Sequence, residues 1–70
     1  MKRLRVLRER EEWSRSELAR RSGIGFADVG RIESGRLVAY PSQLEKLAQA
    51  LAWTGDPGEL LEEVADHARH

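Results

Sequence analysis

The chain has 70 residues, of which 40% are hydrophobic and 34% are charged, and it contains no Cys. This length corresponds to a single domain over residues 1–70 with a small core. Without Cys, disulfides and thiolate zinc sites are excluded. No apolar run approaches the roughly 20 residues that span a bilayer, and no secretory signal follows the basic start. We therefore expect a soluble, cytoplasmic domain with no membrane partner.

Charge is distributed unevenly, although 12 Lys and Arg balance 12 Asp and Glu. Residues 1–36 carry ten basic and six acidic residues, a net +4, whereas residues 37–70 carry two basic and six acidic residues, a net −4. A polyanion-binding face on the first half would produce this asymmetry. Solvated pairs between the two halves would produce it as well, and charge alone favours that interpretation.

The first helix is predicted from about Lys2 to Glu11. Leu4 and Leu7 are expected to face inward at i, i+3, with Val6 off that stripe. These two inward positions predict that the helix packs one narrow face against the rest of the domain.

The second helix is predicted to begin after Ser14, which can cap it with Glu17 as its capping-box partner. Trp13 and Leu18 occupy the positions of a hydrophobic staple. Gly23 is expected to end this helix because glycine readily takes a positive φ.

The third helix is predicted to begin near Gly25 or Phe26 and to stop at Gly35. Val29 and Ile32 form its apolar pair at i, i+3. Its first turn also carries an acidic residue, which favours the positive end of the helix dipole.

Two further helices are predicted after the loop at residues 36–40. Ser42 and Glu45 form a second capping box ahead of an amphipathic helix. Asp56 is expected to cap a fifth helix with Pro57 at its first position. The apolar side of that fifth helix comprises Leu60, Leu61, Val64, Ala65 and Ala68.

Two short helices joined by a Gly-containing turn predict a helix-turn-helix over about residues 15–34. The motifs are Trp-Ser-Arg-Ser-Glu-Leu-Ala at 13–19, Gly-Ile at 23–24, Ile-Glu-Ser-Gly-Arg at 32–36 and Pro-Ser-Gln-Leu at 41–44. From about residue 4 to residue 61 the sequence resembles the lambda-repressor-like, or Cro/C1-type, helix-turn-helix family. The resemblance implies an all-α, five-helix fold. It also implies a sequence-specific transcriptional regulator that binds double-stranded DNA, with a repressor-like homodimer as the expected assembly.

The same resemblance places the helix from about Phe26 to Ser34 in the major groove of DNA. A helical wheel turns Ala27, Gly30, Arg31 and Ser34 away from the buried side and places Phe26 at its edge. The expected base-facing residues among them are Phe26, Ala27, Gly30 and Arg31. Arg31 can bond guanine bidentately, and Phe26 and Ala27 could touch thymine methyl groups.

Two other residues of this helix leave alternatives open. Asp28 would repel phosphate unless it serves as a helix-end anion or accepts a hydrogen bond from cytosine. Gly30 costs about 1 kcal/mol relative to Ala inside a helix. Close approach to a backbone would explain it, and relaxed constraint at an exposed position would explain it equally well.

Phosphate contacts are expected at the ends of the two helices. Ser14 and Arg15 open the second helix, where backbone amides and the helix dipole favour an anion. Ser34 and Arg36 flank the end of the third helix, which lies beside the DNA backbone in the family that the sequence resembles. Surface solubility is the alternative role for the two arginines.

The resemblance also implies a structural ion pair between Arg8 and Glu33, partly buried and outside the binding site.

An unusually apolar stretch, Leu37-Val38-Ala39-Tyr40, follows the third helix. It could contact a second subunit or a protein partner, or one or two of its residues could cover the core. The candidate dimer or partner contacts are Val38, Tyr40, Trp53, Leu61 and Val64. His67 and His70 could join one metal ion, but without a third ligand we expect no metal site.

An enzyme is not expected, because neither a Cys nucleophile nor a Gly-rich phosphate loop is present and neither His has an evident catalytic partner. No cofactor is expected either. A second hypothesis is a protein-interaction module on a helix-turn-helix scaffold, such as an antitoxin-like or regulator-docking domain. The few hydrogen-bonding side chains on the third helix and the apolar loop motivate it, since fold alone does not decide function.

Overall fold

A computed structural model describes residues 1–65 of the chain. Within this range four α-helices precede a 3₁₀ helix. They are α1 (Arg3–Arg10), α2 (Arg15–Ser22), α3 (Phe26–Ser34), α4 (Pro41–Ala50) and the 3₁₀ helix (Pro57–Leu61). The predicted all-α class is confirmed, and the one β-type contact among the described residues is an isolated antiparallel bridge between Lys2 and Glu63. None of these helices is long and apolar enough to cross a membrane.

The core lies where α2 packs against α3 and α4, and where the 3₁₀ helix closes over α1 and α4. Its fully buried side chains are Leu4, Leu18, Val29, Ile32, Leu47 and Leu60. Every described element except the loops contributes to this set, so the core ties the whole described chain together.

The expectation that Val6 lies off the inward stripe of α1 is wrong. Val6 is only 4% exposed, whereas Leu7 is half-buried at the margin of the core. The reason is that α1 is covered on a second side, where Val6 borders a hollow together with Trp53 and Val64. The buried arc of α1 is therefore wider than a stripe at i, i+3.

The cap of α2 is confirmed for Ser14 but not for its reciprocal bond. The Ser14 hydroxyl accepts a hydrogen bond from the Glu17 amide at 3.0 Å. The Glu17 carboxylate turns instead to Arg20 and Arg21, which both donate to it. Two cations one turn along the helix outcompete a single backbone amide for the carboxylate.

The predicted capping box of Ser42 and Glu45 is wrong, because α4 begins at Pro41, two residues earlier than a cap at Ser42 would place its start. Proline is pre-set for the first helical position, which makes Tyr40 the N-cap residue. The Gln43 side chain then accepts from the Tyr40 amide at 2.9 Å. The box is therefore shifted by two residues, and it fixes the direction in which the preceding loop enters α4.

The predicted fifth α-helix is also wrong. Asp56 does cap the segment, accepting from the Gly58 amide at 3.2 Å, but the 3₁₀ helix ends at Leu61 and the chain becomes extended. Its backbone then pairs with the start of the chain: the Val64 amide donates to the Met1 carbonyl at 2.8 Å. Partners on another segment thus satisfy groups that a longer helix would pair internally. Ala68, His67 and His70 lie outside the described residues.

Candidate nucleic-acid interface

The turn between α2 and α3 is held by three local features. Gly23 has a φ of +76°, which glycine takes without strain, and its amide donates to the Ala19 carbonyl at 2.9 Å. The Ser22 hydroxyl accepts from the Ile24 amide at 3.3 Å, and Ile24 itself is only 6% exposed. The turn therefore sets α3 against α2 in one orientation, and Gly23 ends α2 as the sequence predicts.

Beneath α3, Arg8 and Glu33 form a bidentate ion pair. The Arg8 Nε and Nη2 atoms donate to the two carboxylate oxygens of Glu33 at 2.6 and 3.1 Å. The Glu33 side chain is 1% exposed and that of Arg8 is 10% exposed. The third nitrogen of Arg8 donates to the Trp13 carbonyl at 2.7 Å, so the guanidinium also ties α1 to the entrance of α2.

Arg15 joins this pair, a contact that sequence reasoning missed. Its Nε donates to Glu33 Oε1 at 3.3 Å, while 45% of its side chain stays exposed. We call the three residues Arg8, Arg15 and Glu33 the buried ion cluster. With two guanidinium groups and one carboxylate it keeps a net positive charge, which Arg15 presents to solvent. The two partners lie 18 residues apart, and no sequence motif connects them.

The outer face of α3 forms a concave surface, which we call the α3 hollow, with a volume of about 350 Å³. Its lining consists of Arg15, Phe26, Ala27, Gly30, Arg31, Ser34 and Arg36. All four residues expected to face bases are in this set, together with three of the four expected to hold phosphate. The fourth, Ser14, lies at the N-terminus of α2 as its cap. The charged members of the lining are all arginines.

Polar contacts around the α3 hollow leave its cations accessible. The Arg31 side chain is 61% exposed and touches the Asp28 carboxylate at 3.5 Å, one turn earlier. The Ser34 hydroxyl donates to the Arg31 carbonyl at 3.1 Å. Asp28 thus lies in the first turn of α3, where it steadies Arg31 and complements the helix dipole.

Two apolar positions shape the floor of the hollow. Phe26 is 59% exposed, although it is the largest apolar side chain of α3. Gly30 leaves open space: a Cβ added there would meet only the Arg15 Nη1 atom, at 4.0 Å. Contacts within the described chain therefore do not require glycine at this position.

The apolar loop at residues 37–40 alternates between the core and solvent. Ala39 is 6% exposed and Leu37 packs against the core, whereas Val38 and Tyr40 are 79% and 68% exposed. Leu37 and Ala39 therefore cover the core, whereas a contact of Val38 and Tyr40 with a second subunit or a partner stays a prediction.

The other three candidate contacts, Trp53, Leu61 and Val64, are half-buried. The Trp53 indole nitrogen donates to the Asp56 carbonyl at 3.1 Å, and the Arg3 guanidinium lies 5.5 Å from the ring centroid. These intramolecular contacts use part of the indole surface that a subunit interface would otherwise need.

Acidic residues near residue 63 pair with the start of the chain. Glu63 contacts Lys2 at 3.2 Å and the Met1 ammonium at 3.1 Å, and the ammonium, followed by Lys2, lowers the pKa of this carboxyl. Pairs between the two halves therefore exist, as charge alone favoured, but they lie at the chain ends. In residues 1–65 no three His, Cys, Asp or Glu side chains converge on one point that could hold a metal ion.

A family model described as a helix-turn-helix domain matches residues 2–67. The chain belongs to the helix-turn-helix domain family. Over 49 residues it is 45% identical to the HTH-type transcriptional repressor RghR of Bacillus subtilis (strain 168), a match that covers 69% of this chain and 36% of the relative. The chain thus spans about a third of that relative's length. No solved structure matches the chain significantly. Family membership supports a DNA-binding regulator.

Proposed function

We propose that this protein is a sequence-specific transcriptional regulator that places α3 in the major groove of double-stranded DNA. The observation that carries the proposal is the α3 hollow, where the three charged side chains are arginines and the floor is free of large polar groups. Polyanionic DNA requires such a cationic surface, and a helix-turn-helix presents its second helix to base edges.

In this proposal Arg31 reads sequence, because its exposed guanidinium can donate to O6 and N7 of guanine. Arg15 and Arg36 also line the hollow and hold phosphates, which position the protein without carrying base information. In this proposal Ser34, which lines the same hollow, also contacts phosphate. Ser14 opens α2, where unpaired amides and the helix dipole attract an anion.

The buried ion cluster prepares Arg15 for its role. Glu33 anchors the Nε atom of Arg15, so that the guanidinium is oriented before DNA arrives. Preorganised side chains lose less conformational entropy on binding, which favours affinity. Arg8 neutralises the rest of the Glu33 charge from below, so the carboxylate does not cancel the attraction of Arg15 for phosphate.

We further propose a repressor-like homodimer that binds two half-sites about one helical turn apart. Helix-turn-helix dimers match the symmetry of their operators in this way. The exposed Val38 and Tyr40 provide apolar surface that a second copy could cover. The repressor role is supported by the similarity to the transcriptional repressor RghR.

The experiment is a selection of duplexes from random DNA, followed by binding to the recovered duplex across a salt series. We expect Arg31→Ala and Arg36→Ala to weaken binding, and Arg36→Ala to lower the salt slope by about one per half-site. Arg10→Ala is the matched control, because this exposed arginine of α1 lies at a different hollow. If all three variants bind like the wild type, the α3 hollow is not the DNA-binding surface.

A second candidate function is a protein-interaction module, favoured by the 79% exposure of Val38 and the 68% exposure of Tyr40. Under that hypothesis the wild type binds duplex DNA weakly, with no sequence preference, across the whole salt series. The recovery of a preferred duplex in the selection would count against it.

A further inference from the structure

Phe26 is an exposed aromatic side chain that the fold does not use. The buried side of α3 is completed by Val29 and Ile32, both 0% exposed, while Phe26 leaves 59% of its surface in solvent. An apolar group of this size favours a ligand that removes it from water.

The surroundings of Phe26 define that ligand. Ala27 and Gly30 line the same hollow, and neither has a hydrogen-bonding side chain. The charged residues of the lining are Arg15, Arg31 and Arg36. The hollow therefore fits a ligand that combines an apolar group with anionic groups.

A DNA major groove offers this combination at thymine. Phosphates border the groove on both sides, and the C5-methyl group of thymine is the apolar group that base edges present there. Thymine presents the O4 acceptor as well, so the feature that distinguishes it for an apolar side chain is its methyl group. Apolar contact with Phe26 and Ala27 and charge pairing by the arginines thus favour the same ligand.

We propose that Phe26, with Ala27 beside it, recognises thymine through its C5-methyl group. This inference rests on the proposed function and adds a second specificity-determining contact to that of Arg31.

The test uses the duplex selected by the wild type, synthesised with deoxyuridine in place of thymidine at one position at a time. This change removes the methyl group and keeps the base pair. The proteins are the wild type, Phe26→Ala, Phe26→Leu and the control Gln49→Ala, which truncates an exposed, uncharged side chain of α4 outside the hollow. Thermal melting of each variant confirms folding, which we expect to persist because Phe26 and Gln49 are both exposed.

For the wild type and Gln49→Ala, we expect deoxyuridine at one position per half-site to weaken binding about fourfold, the effect of one buried methyl group. Phe26→Ala should bind the thymidine and deoxyuridine duplexes equally, and Phe26→Leu should keep part of the difference.

Two results would overturn the inference: a wild type that tolerates deoxyuridine at every position, or a Phe26→Ala variant that keeps the full preference for thymidine. Both leave the proposed function standing, because a preferred duplex has been recovered. A selection that recovers no preferred duplex would instead refute the proposed function, and the inference with it.

Discussion

The two faces of α3 differ in how strongly the fold determines them. On the inner face Val29, Ile32 and Glu33 are at most 7% exposed, and the Glu33 carboxylate accepts hydrogen bonds from Arg8 and Arg15. On the outer face Phe26 and Arg31 are mostly exposed, and Arg31 has a loose 3.5 Å contact within its own helix. One nine-residue helix therefore carries two independent sets of constraints.

This difference separates stability from recognition. Changes on the inner face must disturb packing or leave a buried charge without a partner. Changes on the outer face remove few internal contacts, so their effects should appear in binding to DNA and hardly in the free energy of unfolding. The following predictions test that separation, beginning with the largest effect.

Glu33→Ala should destabilise the protein by about 3–5 kcal/mol, because it leaves the Arg8 guanidinium buried without its carboxylate. For a domain of this size the melting temperature should fall by at least about 12 °C. Thermal or urea unfolding measures it, with Glu45→Ala as the control, since Glu45 is an exposed carboxylate on α4. A variant that melts with the wild type would mean that the inner face does not depend on the buried ion cluster.

Substitution by alanine should change the free energy of unfolding in opposite directions at Gly30, within α3, and at Gly35, its C-cap. Gly35 has a φ of +83°, where a side chain costs about 1–2 kcal/mol, so Gly35→Ala should destabilise the fold. Gly30 lies on the outer face with open space around it, so Gly30→Ala should stabilise the helix by about 0.5–1 kcal/mol. Unfolding of both variants under the same conditions gives the sign of each effect, and destabilisation by Gly30→Ala would contradict the account of the outer face.

Arg31→Ala should change the free energy of unfolding by less than about 0.5 kcal/mol. Its contact with Asp28 is long and exposed, and such pairs contribute little. Denaturant unfolding of Arg31→Ala and Glu33→Ala under the same conditions compares the two changes in the free energy of unfolding directly. A loss as large as that of Glu33→Ala would show that the outer face also supports the fold.

The smallest effect is expected from pH. Hydrogen bonds from Arg20, and then from Arg21, lower the pKa of the exposed Glu17 carboxyl. A carboxyl with a lowered folded-state pKa stabilises the protein above its unfolded pKa, and this contribution is lost as pH falls through the folded pKa. Glu17→Gln should therefore melt slightly below the wild type at neutral pH, and the gap should close in acid. A gap that is constant with pH would assign the effect to something other than this ionisation.

Much of the fold is predictable from short stretches of sequence. The sequence locates α2 and α3 well because their limits and buried faces depend on a few neighbouring residues. These are Ser14 as the N-cap of α2, Gly23 and Gly35 at the helix ends, and the apolar pair Val29 and Ile32. The prediction of a fifth α-helix is wrong because the backbone at residues 62–64 pairs with the backbone of residues 1–3, more than fifty residues away. The predicted cap of α4 at Ser42 is wrong because Pro41 takes the first helical position and makes Tyr40 the N-cap.

The candidate site was predictable in composition but not in detail. A helical wheel collects Ala27, Gly30 and Arg31 on one face because the geometry of a helix is regular. It cannot show that Arg15, on another helix, bonds Glu33 and borders the same hollow. Contacts between elements depend on the orientation that the turn at Gly23 sets, and residue spacing along the chain does not encode that orientation.

The central claim is that the outer face of α3 contacts base edges and determines sequence preference, whereas Arg15 contacts the phosphates of the DNA backbone. The measurement is a competition binding assay on the selected duplex and its single-base variants, with wild type, Arg31→Ala and Arg15→Ala. We predict that Arg31→Ala loses about 1–3 kcal/mol of discrimination at one base pair per half-site. Arg15→Ala should weaken binding to all the sequences about equally. An Arg31→Ala variant with unchanged base preference would contradict the account, and readout of duplex shape would then be the better explanation.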